Sequence, residues 1–289
     1  MRFLDAEQTR ECLPMAAAVE SQVAAFGDDI EIPLRRQLGV SLFMPGRVGE
    51  HAGMKVVSTV PGNPVGLVMV VGPDGSPLGI VDGPTLTAIR TGAGAGLATR
   101  LLARPDARVL AMLGAGAMAF DQIAAVRAVR PIERVLVWSR SRERAEQLAE
   151  RVGGEAVSDP DEAVAVADVI SCATPAESPL FSAASVRPGS HINAVGAFRP
   201  GMMEVPVEVT REAFVVVDDR DAAAAEAGDL IAAGKEPDAT VGDLLAGRAA
   251  APTGSVTFFK SVGIGSQDVA AARAALEEAQ RRGIGTVLA

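Results

Sequence analysis

Residues 109–123 read VLAMLGAGAMAFDQI. Val109 to Leu113 form an unbroken apolar run, as a strand covered on both faces requires. Gly114, Gly116 and Ala119 follow in a G-x-G-x-x-A spacing, and an amphipathic helix begins there. In such a strand–turn–helix the first glycine permits a tight turn and the second lets the backbone approach a pyrophosphate. A small third residue lets the helix pack on the strand. The anion would rest on the free N–H groups at the helix start, with Gly114, Gly116, Ala117 and Met118 as the surrounding backbone. The spacing alone is a weak signal. Here it has the right strand, the right helix and a second strand at the expected distance, so the unit reads as a dinucleotide-binding turn.

That second strand, RVLVWS, ends in Ser139-Arg140-Ser141-Arg142. A site selective for NAD places a carboxylate here for the ribose hydroxyls, but the first one is Glu143. Two arginines and two hydroxyls suit a 2′-phosphate, because guanidinium binds phosphate through charge-assisted hydrogen bonds. The expected cofactor is NADPH, with NADH possible.

Further apolar runs at DVISCAT, SHINAVG, AFVVVD and VTFFKSVG alternate with amphipathic stretches. This is the pattern of a doubly wound α/β domain with a parallel sheet, expected over residues 107–282. Residues 5–26 read as helical, with Asp5 and Gln8 at capping-box spacing and Pro14 in the first turn of a second helix. Short strands follow between about Leu34 and Asp82, marked by Pro-Gly, Gly-Asn-Pro and Gly-Pro-Asp-Gly turns. VGLVMVVG and SPLGIVDG, joined around Pro73-Asp74-Gly75, read as a hairpin. A helix from about Thr85 to Leu102 carries Gly92, Gly94 and Gly96. Each disfavours the helix by about 1 kcal/mol relative to alanine, which points to a close backbone approach by another element or a ligand. The last helix, about Ser266 to Arg282, stops at Gly283. Residues 1–106, rejoined by 283–289, thus form a second, discontinuous α+β domain.

A chain of 289 residues with 48% apolar and 22% charged residues can build large cores and is not disordered in composition. The net charge of -9 argues against a nucleic-acid-binding surface, while local basic residues can still line a pocket for a small anion. Cys12 and Cys172 have no metal-like spacing and read as buried thiols. No apolar run has the ~20 residues of a membrane span, and the N-terminal residues show no secretory pattern. A cytoplasmic protein is expected, with no metal, nucleic-acid or membrane partner.

Three basic positions before residue 100 stand out. Lys55, one of three lysines, begins a β-rich run (GMKVVSTVP); Arg90 lies in a helix of small and apolar residues; Arg35 and Arg36 follow Pro33. Each alone reads more readily as surface charge than as a ligand, but together they describe a cationic pocket for a carboxylate. His51 and His191 have no triad-like or metal-like company and are read as structural or surface residues.

The order of these motifs resembles the ornithine cyclodeaminase/μ-crystallin family. The resemblance is carried by Met44-Pro45, MKVVSTVPGNP, PLGIVDGPTLTAIRTGAGAG, LGAGAMA, ADVISCATP, PGSHINAVGAFRP and VTFFKSVGIGSQD, running from about Pro33 to Asp268. It implies a Rossmann domain and a second domain that binds substrate and forms a homodimer. It also implies that Arg35 and Arg90 bind the substrate carboxylate, with Arg36 an alternative to Arg35, and that Lys55 lies beside the reacting nitrogen. Thr91, Ala173, Thr174, Val195, Gly196 and Ser261 would contact the cofactor. In that family the cyclodeaminases and the related alanine dehydrogenase place an aspartate two residues after the glycine of the NAVG-like motif, where this chain has Phe198. A phenyl ring handles no proton, a function worth about 10² to 10⁴ in rate; Glu204 is the nearby acid that could replace it. The resemblance therefore implies NADPH-dependent reduction of a small cyclic ketimine carboxylate, pyrroline-2-carboxylate or piperideine-2-carboxylate. The alternatives are a cyclodeaminase-type lyase with recycled NAD, an alanine- or opine-type dehydrogenase, and a non-catalytic NADPH-dependent binder of a carboxylate ligand.

Overall fold

The computed structural model describes residues 1–60 and 65–288. The Pro-Gly and Gly-Asn-Pro turn signals at 61–64 lie outside the described residues. In chain order the first elements are β1 (Arg2–Leu4), α1 (Ala6–Cys12), α2 (Met15–Ala25), β2 (Ile30–Glu31), β3 (Arg36–Leu38) and β4 (Ser41–Val48). They are followed by β5 (His51–Ser58), β6 (Gly66–Val71), β7 (Pro77–Asp82) and α3 (Gly83–Leu102). Next come β8 (Val109–Leu113), α4 (Ala119–Val129), β9 (Arg134–Trp138), α5 (Arg142–Val152), β10 (Glu155–Ala156), α6 (Pro160–Val166) and β11 (Val169–Cys172). The run continues with β12 (His191–Ala194), α7 (Val207–Glu212), β13 (Phe214–Val217), α8 (Arg220–Glu226) and α9 (Gly228–Ala233). It ends with β14 (Ala239–Thr240), α10 (Val241–Leu245), β15 (Thr257–Lys260), α11 (Gly265–Arg282) and β16 (Thr286–Val287).

The chain divides into two compact units, residues 1–94 with 264–289, and residues 95–263. These limits differ from those read in the sequence: the boundary falls inside α3, and α11 belongs to the first unit. The reason is what α11 buries. In unit 1 the strands are ordered β16-β1-β7-β6-β5-β4-β2, with β3 beside β4. Gly46, Gly53 and Gly79 lie on neighbouring strands in register with Val70 between them. A Cβ at Gly46 would come within 2.5 Å of the Gly265 backbone, one at Gly53 within 3.0 Å of Val269, and one at Gly79 within 2.5 Å of Leu276. A row free of side chains therefore lets the alanine-rich face of α11 lie directly on this sheet. An amphipathic pattern announces a buried face but not the element that covers it.

The hairpin is present as β6 and β7, paired antiparallel. The N-terminal capping box also forms, the Asp5 carboxylate accepting from Gln8 N while the Gln8 side chain accepts from Asp5 N. Pro14 separates the first two helices but occupies the N-cap of α2 rather than its first turn.

Unit 2 is the doubly wound domain. Its eight strands run β10-β9-β8-β11-β12-β15-β13-β14, and every neighbouring pair is parallel. Strand order reverses between β8 and β11, where an open α/β sheet leaves a crevice beyond its carboxyl ends. β11, β12 and β15 are buried throughout, which accounts for their continuous apolar sequences. His191 is a core residue here. Its Nδ1 lies 2.9 Å from Thr257 Oγ1 and its Nε2 3.1 Å from Asn193 Oδ1. Burial brings its pKa down to about 3, against a smaller upward effect of the Asn193 bond, so the ring is neutral. Among the described residues no helix is long and apolar enough to cross a membrane.

Candidate functional site

Unit 1 brings together two of the basic residues read from the sequence and one acid that was not. Lys55 alternates with Met54 and Val56 on β5, so its side chain points to the face covered by α11, in register with Met44 and Val68. It is buried among apolar neighbours, a costly place for an ammonium without a counter-charge. Asp268, in the first turn of α11, supplies it: Lys55 Nζ lies 3.0 Å from Asp268 Oδ1 and 2.9 Å from Oδ2. Arg90 Nε donates to Asp268 Oδ1 at 3.0 Å, and Arg90 Nη1 to Gln267 Oε1 at 3.3 Å. Gln267 is fixed in turn, since Ile264 N donates to the same oxygen.

Electrostatics make Lys55 a weak base. Burial is the largest effect and Arg90 adds to it; attraction and hydrogen bonding to Asp268 oppose them, and Arg35 lowers the value further. The result is a pKa down from 10.5 to about 8. Arg35 is half-buried between β2 and β3, whereas Arg36 is exposed on β3, so the charge felt at Lys55 comes from Arg35. Two cations, Lys55 and Arg90, share the single carboxylate of Asp268 and leave an excess of positive charge, as an incoming carboxylate would need. Thr91 follows Arg90 on α3; it is buried, and its hydroxyl makes no hydrogen bond among the described residues.

In unit 2 the dinucleotide turn opens on a cavity of about 640 Å3, lined in part by Gly114, Gly116, Ser139, Arg140, Ala173 and Thr174. Gly114 has φ +117, and a Cβ there would meet Ala173 O at 2.8 Å, so its glycine is set by the protein itself. Gly116 differs: a Cβ there would meet nothing within 4 Å. Its missing side chain leaves room for something outside the chain, which fits a pyrophosphate laid against the turn. Met118 is the N-cap of α4 and Ala117 immediately precedes it; both lie beside the cavity and do not line it.

The segment after β9 divides its roles. Ser139 and Arg140 line the cavity, while the Ser141 hydroxyl accepts from Arg144 N and caps α5. Arg142 Nε donates to Glu146 Oε1 at 2.7 Å along the helix. Arg144, which was not singled out in the sequence, lines the cavity instead. Glu143 accepts from Gln147 within α5. The acid in the lining, Glu177, comes from the loop after β11 and not from the end of β9.

Three further expected cofactor contacts, Ser261, Gly196 and Thr174, meet buried acids. Ser261 Oγ donates to Asp218 Oδ2 at 2.8 Å, and Val262 N and Gly263 N donate to the same oxygen. Gly196 N donates to Glu204 Oε2 at 2.8 Å, beside the buried Val195. Glu204, the acid read as a substitute for the aspartate absent at Phe198, is itself buried, with both oxygens accepting from backbone N–H groups. Phe198 is exposed, with the Arg199 guanidinium 5.3 Å from its ring centroid. The acids Asp268 and Asp218 were missed because an isolated acidic residue in sequence reads as solvated charge. The SQD segment at the start of α11 was the available signal for Asp268.

The family model for the ornithine cyclodeaminase/mu-crystallin family matches residues 16–283. A Δ1-pyrroline-2-carboxylate reductase of Bacillus cereus is 36% identical over 280 residues, covering 88% of this chain and 86% of that protein. The ketimine reductase mu-crystallin of Macropus fuliginosus is 37% identical over 225 residues, covering 77% of this chain and 72% of that protein. Among solved structures, Δ1-pyrroline-2-carboxylate reductase of Thermococcus litoralis, in complex with NADH and L-proline, superposes with a TM-score of 0.93. It is 30% identical, with 100% of both chains covered.

Proposed function

Because the chain belongs to the ornithine cyclodeaminase/mu-crystallin family, we propose that it reduces a small cyclic ketimine carboxylate to the cyclic amino acid, with NADPH as preferred cofactor. It is a nicotinamide-dependent oxidoreductase acting on a C=N bond. The observation that carries the reading is the buried Lys55–Asp268–Arg90 cluster, in which an ammonium of pKa about 8 stands beside surplus positive charge.

The chemistry follows from these groups. Arg90 and Arg35 hold the substrate carboxylate and so fix the C=N carbon, a positioning contribution. Lys55 donates its proton to the imine nitrogen or keeps it protonated, which makes the carbon electrophilic. A pKa near the working pH is what a general acid needs. The reduced nicotinamide, when bound, supplies the hydride. Asp268 holds Lys55 and Arg90 in place. Pyrroline-2-carboxylate and piperideine-2-carboxylate are the substrates of choice. Incubation with imine and NADPH is expected to yield proline or pipecolate in equal amount to the cofactor oxidised. Cofactor oxidation without the cyclic amino acid would contradict the reading.

The NADPH preference is assigned to Arg140 and Arg144, the two arginines at the cavity wall near β9. A guanidinium–phosphate bond contributes about 1.5–3 kcal/mol, or roughly a 10- to 100-fold preference. Arg140→Ala, alone and with Arg144→Ala, is expected to lower the ratio of kcat/KM for NADPH over NADH by that factor, leaving the NADH value within about threefold. An unchanged ratio in the double variant would take the choice of cofactor away from these arginines.

A homodimer is the proposed assembly. The sheet face of unit 1 opposite Lys55 exposes Leu67 and Met69 on β6, and Leu34, Leu38 and Val40 nearby are exposed as well. Exposed apolar clusters of this kind mark association surfaces. Sedimentation at the mass of one chain under micromolar protein would contradict it.

A further inference from the structure

Two turns at the carboxyl edge of the unit 2 sheet share one carboxylate. Glu204 Oε1 accepts from Thr174 N at 2.6 Å and from Thr174 Oγ1 at 2.9 Å, in the turn after β11. Its Oε2 accepts from Gly196 N at 2.8 Å and Ala197 N at 3.1 Å, in the turn after β12. The contact is close: a Cβ on Gly196 would fall 2.2 Å from Thr174 N and O.

The acid is anchored from behind. Glu204 N and Val205 N donate to Asp229 Oδ1 at 2.7 and 2.9 Å, and Asp229 Oδ2 lies 2.7 Å from Lys260 Nζ. Glu204, Asp229 and Lys260 are all fully buried. Two carboxylates and one ammonium away from water carry a large desolvation penalty, which their mutual attraction can fail to repay. A fold does not need this arrangement for stability, since apolar side chains fill a core at lower cost. What the carboxylate does, and no amide can, is accept at both ends. A glutamine would present one acceptor and one donor, so one turn would lose its anchor and face N–H against N–H.

The first turn belongs to the cleft, and the second is packed against it at Gly196. Thr174 lines the cavity below the dinucleotide turn, and Gly196–Ala197 lead directly into Phe198. We propose that Glu204 is a positioning residue for the bound dinucleotide: its carboxylate clamps the turn after β11 to the turn after β12 and sets the backbone along that part of the cleft. The inference rests on unit 2 being the dinucleotide site. It adds that the site's shape depends on a buried anion that contacts neither cofactor nor substrate.

The test is a fluorescence titration of NADPH with the wild-type protein, E204Q and E204D, together with separate KM values for cofactor and imine. Absence of binding to folded wild-type protein would overturn the dinucleotide reading itself. If the wild type binds, E204Q is expected to raise the Kd and KM for NADPH by about 10- to 100-fold, as small displacements of positioning groups do. The imine KM should move less than about twofold. E204D keeps the charge but is one methylene short of spanning both turns, and should fall between. Wild-type NADPH KM in a folded E204Q, or equal rises in both KM values, would overturn the proposal. Should neither variant fold, amide exchange in the wild type decides it: Thr174, Gly196 and Ala197 are expected to be protected together, and fast exchange at any of them would contradict the clamp.

Discussion

Lys55→Met is expected to lower imine turnover by about 10²- to 10⁴-fold, the usual contribution of a positioned general acid, while NADPH binds as to the wild type. Methionine fills a similar volume on β5 and cannot give up a proton. Position 55 is not among the residues that line the unit 2 cavity, so cofactor affinity serves as the internal control. The pH dependence follows from the same group. Lys55 acts while protonated, and its pKa lies at about 8. Reduction by the wild type should therefore fall as pH rises through about 8, and the residual activity of the methionine variant should lack that limb. Turnover within a few-fold of wild type would remove Lys55 from the chemistry.

Asp268→Asn is expected to act on stability and on the pH profile together. Its carboxylate is shared by Lys55 and Arg90, all three being buried. Removing one member of a buried ion cluster leaves uncompensated charge, at a cost on the order of 3 kcal/mol. Lys55 relieves part of that by releasing its proton more readily. Asp268 raises the Lys55 pKa against burial and Arg90, so its loss moves that pKa below about 8. The fall in activity with rising pH should then begin at lower pH in the variant. Thermal unfolding and a pH–rate profile check both parts. A less stable protein with an unshifted profile would make Asp268 a packing residue only.

The sequence revealed most where chemistry is local. The dinucleotide turn could be read from Gly114 to Ala119 because strand, turn and helix are contiguous and each position has its own steric reason. The buried strands of unit 2 were visible as apolar runs for the same reason. What depended on distant partners was hidden. The three-residue strand β1 is too short to show a period, yet it pairs with β7 and extends the sheet of unit 1. The alanine face of α11 matched a helix in either domain, and only the glycine row at 46, 53 and 79 shows which sheet receives it.

The site divides in the same way. Lys55 and Arg90 stood out as cations in apolar surroundings, and the structure joins them. The acid that joins them is 213 residues from Lys55 in sequence and looked like an ordinary first-turn aspartate, a common arrangement at a helix N-terminus. Among Ser139 to Arg142, residue type alone could not tell a cavity wall from a helix cap. Ser141 and Arg142 serve α5, and Arg144, one turn further on, faces the cavity. Glu204 had been the candidate substitute for the missing aspartate. Only its four hydrogen bonds to two turns show that it is already fully engaged.

The most direct measurement is NADPH oxidation, followed by absorbance, with pyrroline-2-carboxylate and with piperideine-2-carboxylate, each repeated with NADH. Turnover of one of these imines with a higher kcat/KM for NADPH than for NADH is the expected result. No turnover of either imine with either cofactor would contradict cyclic ketimine reduction as the function of this chain.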